Sequence, residues 1–256
     1  MQYFDTHTHL DDERFAEDRE ALIEKIKARG ISPVMAVAAE REGCFGATAL
    51  AEKNDFIYAA VGYHPDAAQR MNEDDLALIE RLAAHRKVRA IGEIGLDYHW
   101  QEDTDKEAQK HWFSRQMALA EKLRLPVIIH SRDATADTLE ILRAFPNVTG
   151  VMHCFSGSVQ TMKEVLALGY YIALGGVVTF KNARVAKEVA QCVPPDRLLI
   201  ETDCPYLAPE PFRGKRNDPT LIPYVCREIA RLRFDTAEHI AAVTRENGMK
   251  LFGIKG

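Results

Sequence analysis

The sequence predicts a (β/α)8 barrel, an α/β fold in one domain spanning residues 1–256, on three observations. Short aliphatic and β-branched runs recur about every 28 residues, eight times in all. Amphipathic helical patterns lie between them, and no Pro/Gly/Ser-rich linker or low-complexity stretch divides the chain. Eight strand-then-helix units in 256 residues match a fold that typically takes ~250. A doubly wound open sheet is the alternative, but no GxGxxG turn follows the first run, which weakens its dinucleotide-binding version.

The eight runs are Tyr3–Thr6, Val34–Ala39, Ile57–Gly62, Val88–Ile94, Val127–His130, Val148–His153, Tyr171–Gly175 and Leu198–Thr202. Each is nearly all apolar, as expected of parallel strands buried on both faces. Thr138, Ile141, Leu142 and Phe145 repeat at helical spacing after the fifth run. Val159, Met162 and Leu166 do so after the sixth, and Val225, Ile229 and Leu232 after the eighth. Gly30 and Gly169 stand where helices should stop before the next strand.

Composition bounds the function. Hydrophobic residues make up 46%, enough to bury a core and exclude disorder as the main state. The formal charge of −5 argues against a surface built throughout to grip nucleic acid, but it allows a local positive site. Five widely spaced cysteines without a CxxC pair suit a reducing compartment. The opening MQYFDTHTHL shows no signal-peptide pattern, and no run reaches the ~18 apolar residues of a membrane span. The expectation is a soluble cytoplasmic protein with no membrane partner. The sequence sets no oligomeric state and is compatible with a monomer.

In such a barrel, reactive groups gather at the C-terminal ends of the strands. The strand ends here carry His7-Thr8-His9, His64, Glu93 with Asp97, His130, His153 and Glu201-Thr202-Asp203. Residues two apart on a strand face the same way, so His7 and His9 should aim at one point. A lone histidine at a strand end is ordinarily a core residue, but four histidines and two carboxylates on one rim point to a metal site. That number exceeds one tetrahedral site and suggests two metals sharing a carboxylate. Glu93, across the rim from His7 and His9, is the natural bridge. Asp203 can bind a metal, hold the metal-bound water and accept its proton, so Asp203 and Glu93 are the candidate catalytic pair. Cys154 and Cys204, next to His153 and Asp203, are expected to pack rather than react, because alternation turns them away. Gly175-Gly176 either permits a close approach to the site or merely ends the seventh strand.

The segment Tyr3-Phe4-Asp5-Thr6-His7-Thr8-His9-Leu10-Asp11 resembles the opening signature of the TatD family of metal-dependent deoxyribonucleases. The resemblance continues through Gly62-Tyr63-His64-Pro65, the segment from Ile91 to Tyr98, Pro126 to Arg132, His153 to Gly157 and Leu199 to Leu207. It closes at Arg213-Gly214-Lys215-Arg216-Asn217. It implies a (β/α)8 barrel with two divalent ions (Zn, Mn or Mg) held by His7, His9, Glu93, His130, His153 and Asp203. It further implies phosphodiester hydrolysis in DNA, with a 3′-to-5′ exonuclease acting on single-stranded or 3′ ends. The one departure is Asp66 after His64-Pro65, where many members carry a second histidine.

Phosphodiester chemistry makes basic residues near the rim informative. Arg132 and Arg213 are the leading candidates for phosphate contact, and His64 for contact with substrate. Lys215 and Arg216 are read the same way, with a solvated loop as the alternative. In Tyr98-His99-Trp100, either His99 or Trp100 is a candidate to stack on a base. A competing reading is a metal-dependent deacylase or amidohydrolase acting on an ester or amide, such as a charged tRNA.

Overall fold

The computed structural model describes residues 1–99 and 105–255. Eight parallel strands run in sequence order around one sheet: β1 (Tyr3–Thr8), β2 (Ile31–Val37), β3 (Ile57–Val61), β4 (Val88–Asp97), β5 (Val127–Arg132), β6 (Gly150–Met152), β7 (Tyr171–Leu174) and β8 (Leu198–Ile200). Helices follow each strand: α1 (Arg19–Ala28), α2 (Arg41–Lys53), α3 (Glu73–Ala83), α4 (Lys106–Leu123), α5 (Thr135–Ala144), α6 (Val159–Ala167), α7 (Arg184–Cys192) and α8 (Ile222–Arg233), with α9 (Ala237–Leu251) closing the chain. This is the TIM-barrel architecture that the periodicity predicts. Gly30 and Gly169 follow α1 and α6 with φ of 72° and 87°, the left-handed helix stop expected of them. No helix among the described residues is long and apolar enough to cross a membrane.

The strands divide their side chains between two cores. Phe4, Met35, Val37, Ala60, Ala90, Ile128, Val151, Tyr171, Ala173 and Leu199 form an inner cluster, joined by Leu251 and Phe252 at the end of α9. Their neighbours along each strand, such as Val34, Ala36, Ala59, Val61, Ile129, Ile172 and Ile200, pack outward under the helices. The apolar runs therefore reflect burial on both faces, and the interior below the rim is packed solid.

Closure between β8 and β1 rests on few backbone contacts and many side chains. Among the described residues, one β-bridge joins the two edges, Thr8 to Cys204. His9 N donates to the Cys204 carbonyl at 2.8 Å and Asp203 N to the His7 carbonyl at 3.0 Å. Asp5 accepts from Thr202 N at 2.9 Å and from Thr202 Oγ1 at 2.6 Å, and Thr6 Oγ1 donates to the Ile200 carbonyl at 3.0 Å. Buried Asn217 holds the far side by donating to the Thr202 carbonyl at 2.8 Å.

Candidate metal centre

Two irregular strands aim the key side chains. Counting alternately from inward-facing Phe4 would turn His7 toward the helices. The β1–β2 register slips between Asp5 and Thr8, and that slip re-aims His7. The β4–β5 register slips likewise between Ile91 and Ile94, which turns Glu93 inward. His9, His153 and Asp203 lie just past the ends of β1, β6 and β8. Cys154 and Asp203 have φ of 41° and 58°, so the chain leaves both strands through the left-handed region.

The expected six residues meet at one point on the rim. His7 Nε2 and His9 Nε2 lie 3.2 Å apart. Glu93 Oε2 is 3.3 Å from the first and 3.6 Å from the second. Asp203 Oδ1 joins the same group at 3.8 Å and 3.5 Å. On the other side of the carboxylate, Glu93 Oε1 is 2.9 Å from His130 Nδ1 and 2.8 Å from His153 Nε2, which are 3.4 Å from each other. Tetrahedral ligands at the ~2.0–2.1 Å bond lengths typical of zinc lie about 3.3 Å apart. The first group is close to that spacing and the second is tighter, with two of its contacts below 3 Å, and each sets two ring nitrogens and one oxygen of Glu93 around a common centre. Imidazole nitrogens brought so close need a proton or cation between them, so the donor set fits divalent ions.

Neighbouring groups hold the rings in orientation. His9 Nδ1 is 2.9 Å from the Val37 carbonyl, a contact that places its proton there and leaves Nε2 toward the cluster. His130 Nε2 is 3.1 Å from Asp97 Oδ2, which leaves Nδ1 facing Glu93. Buried Glu201 stands 3.6 Å behind His153 Nδ1 and accepts from Cys154 N at 2.5 Å. His64 Nδ1 accepts from Asp66 N at 3.2 Å, and its Nε2 is 3.8 Å from Glu93 Oε1. His64, Asp97 and His130 are also within reach of a common ion, but Asp97 already occupies the outer nitrogen of His130.

Charge inside the cluster is strongly coupled. Burial opposes ionisation of Glu93, yet the charges of His153 and His7 and hydrogen bonds from His130 and His153 hold it well below the usual carboxylate range. Burial likewise opposes protonation of His9, but the Asp203 hydrogen bond and the charges of Glu93 and Asp203 lift it to about 9. His64 is driven down to about 3 by burial and by the charge of His130. A histidine with a raised pKa stabilises the fold fully below its ordinary 6.5, and the contribution is gone above about 9. The depressed carboxylate acts in the opposite sense and loses its contribution on acidification below about 4.5. The metal-free protein should therefore lose several degrees of Tm as pH rises from 6.5 to 9. Thermal melts in chelator test this, and a flat or rising Tm across that range would refute it.

The expected substrate contacts are placed unequally. Arg132 ends β5 and is exposed on the rim, near Asp66, whose carboxyl burial and the charge of Asp97 push up against the opposing charge of Arg132. The Arg213 guanidinium lies 4.4 Å over the Phe180 ring on the exposed loop after β8. Arg216, for which phosphate contact and a solvated loop are both open, pairs with Asp18 through two contacts at 2.8 and 2.5 Å and donates to the Arg14 carbonyl at 2.6 Å. His99 Nδ1 is 3.0 Å from Asp133 Oδ2. Trp100 lies outside the described residues.

Cys154 lies beyond the end of β6, so the pleat does not set its direction as expected. Burial and the charges of Asp203, Glu201 and Glu93 push its thiol well above the usual range, and the neutral thiol is a poor nucleophile. Cys204 is wholly buried, as a packing residue should be. The close approach at Gly176 is to the loop after β8 and not to the metal cluster: a Cβ there would lie 1.9 Å from the Leu207 carbonyl.

A parallel barrel with two imidazole pairs around a shared carboxylate at its C-terminal rim is the architecture of a metal-dependent hydrolase. The family model described as TatD related DNase matches residues 4–253, and the protein belongs to that family. It is 49% identical over 253 residues to the "Uncharacterized metal-dependent hydrolase YabD" of Bacillus subtilis (strain 168), covering 98% of this chain and 99% of the relative. It is 33% identical over 259 residues to the "3'-5' ssDNA/RNA exonuclease TatD" of Erwinia tasmaniensis, covering 98% and 100%. Among solved structures it is similar to YJJV, a TatD homolog from Escherichia coli K12, with a TM-score of 0.92 and 33% identity over 99% of this chain and 98% of that one. The clusters and these relatives together support the use of divalent metal by this chain.

Proposed function

We propose that this chain, acting as one hydrolase domain over residues 1–256, cleaves phosphodiester bonds of nucleic acid as a 3′-to-5′ exonuclease on single-stranded DNA ends. The observation that carries the reading is the split of Glu93, whose two oxygens each complete a separate N,N,O group. Two divalent ions, Zn, Mn or Mg, fit those groups, with His7, His9 and Asp203 around the first and His130 and His153 around the second. Imidazole-rich ligation favours Zn or Mn over a purely Mg site. When bound, such a pair supplies Lewis acidity at the phosphoryl oxygens and lowers the pKa of the attacking water toward ~7.

The protein's own groups do the rest. Asp203, held ionised by the His9 hydrogen bond and the nearby imidazoles despite its burial, accepts the proton of the attacking water. His64, kept neutral, offers its Nε2–H to a phosphoryl oxygen from beside Glu93. Arg132 and Arg213 add charge on the exposed side of the rim, where phosphates approach. His130, His9 and Asp203 retain 18%, 14% and 13% side-chain exposure against 0% for His7, so substrate enters from that side. All five cysteines are unpaired, which supports the cytoplasmic reading.

The test uses a single-stranded oligonucleotide carrying an internal label and protein stripped by chelator, then reloaded separately with Zn, Mn or Mg. The expected result is stepwise shortening from the 3′ end with at least one ion and none in chelator. Absence of cleavage with every ion would overturn the proposal, and hydrolysis confined to acyl substrates would replace it.

A further inference from the structure

Three residues beyond Asp203, the loop after β8 presents an aromatic ring to solvent. Tyr206 is 48% exposed, yet its backbone is tied down on both sides. Its N–H donates to the Asp203 carbonyl at 2.9 Å, and its carbonyl accepts from Asn217 Nδ2 at 2.7 Å. The next carbonyl, that of Leu207, lies against Gly176 with no room for a Cβ between them. The ring is thus a rigid surface feature and not the tip of a loose loop.

Its surroundings give it direction. The ring meets the His9 imidazole edge-on, with centroids 6.1 Å apart and an interplanar angle of 82°. The Arg14 guanidinium carbon covers one face at 4.1 Å, and Asp12 fixes that guanidinium through contacts of 2.9 and 2.7 Å. Arg14 lies over one face, and about half of the residue remains exposed beside His9 of the metal centre, which leaves the opposite face for a ligand. An open aromatic face beside a phosphodiester site is what base stacking requires, and stacking accepts any base.

We propose that Tyr206 is the platform on which the 3′-terminal base stacks, setting the terminal phosphodiester against the His9 side of the cluster. This rests on the nuclease reading above and extends it to a residue outside the ligand set. Arg14 backs the ring and orients it.

The experiment pairs the protein change with a substrate change. Wild type, Tyr206→Phe and Tyr206→Ala are assayed on one oligonucleotide with an ordinary 3′ terminus and on the same oligonucleotide with an abasic 3′-terminal residue. Tyr206→Ala should raise KM about 5- to 150-fold on the ordinary substrate, whereas Tyr206→Phe stays near wild type. On the abasic end, wild type and Tyr206→Ala should coincide. An equal penalty on both substrates, or none on either, overturns the proposal. Equilibrium binding of the same two oligonucleotides to metal-free protein reads the stack without turnover. A wild-type preference for the base-bearing end, abolished by Tyr206→Ala, supports the platform even where no strand is cut, and equal binding overturns it. Lost cleavage with that preference retained counts against the hydrolytic reading alone.

Discussion

Replacing Glu93 by Gln should abolish detectable turnover, with kcat/KM falling about 10³-fold or more, equivalent to ~4 kcal/mol of barrier. The reason is geometric. One carboxylate oxygen faces His7 and His9 while the other faces His130 and His153, so a neutral amide weakens both groups at once. An amide also presents an N–H to one imidazole pair, where a lone pair is needed. Metal content per chain, measured after dialysis, should fall together with activity. Full metal content with lost activity would place the role of Glu93 in proton transfer and refute the bridging assignment.

Asp203→Asn should separate binding from chemistry. Its oxygen completes a group that already has three donors, so the variant should keep most of its metal while kcat drops about 10²- to 10⁴-fold, the range for a lost general base. KM should change little. In the metal-free protein the His9 pKa should also fall from about 9 toward 6.5, because the Asp203 hydrogen bond and charge help to hold it up. NMR titration of the imidazoles measures that shift. An unchanged His9 titration, or a kcat near wild type, contradicts the assignment.

Much of this site is legible in the sequence because its members mark strand ends. The repeating apolar runs fix where each strand stops, and His7, His9, Glu93, His130, His153 and Asp203 fall at or near those stops. Strand alternation alone brings His7 and His9 to a common face for an incomplete reason, since a register slip in β1 does the aiming. Groups that act on the histidines from behind carry no local spacing. Glu201 comes to His153 from 48 residues away in the chain, and its place shows only once β6 and β8 are folded. Tyr206 lies inside the segment from Leu199 to Leu207 with nothing local to single it out, because exposure and the Arg14 stack are tertiary properties. Arg216 carries a partner that the sequence does not signal: Asp18, distant in the chain, is brought against it by folding.

The seam between β1 and β8 has a consequence for how the protein comes into being. His7 and His9 precede Asp203 in the chain, as Asp5 precedes the Thr202 that latches onto it, by nearly the whole length of the barrel. A ribosome-bound chain that has not yet released β8 holds imidazoles and Glu93 but cannot close the ring around them. A chain truncated before β8 lacks Asp203 as well as the seam, and should therefore be inactive however much of the rest of the barrel it keeps.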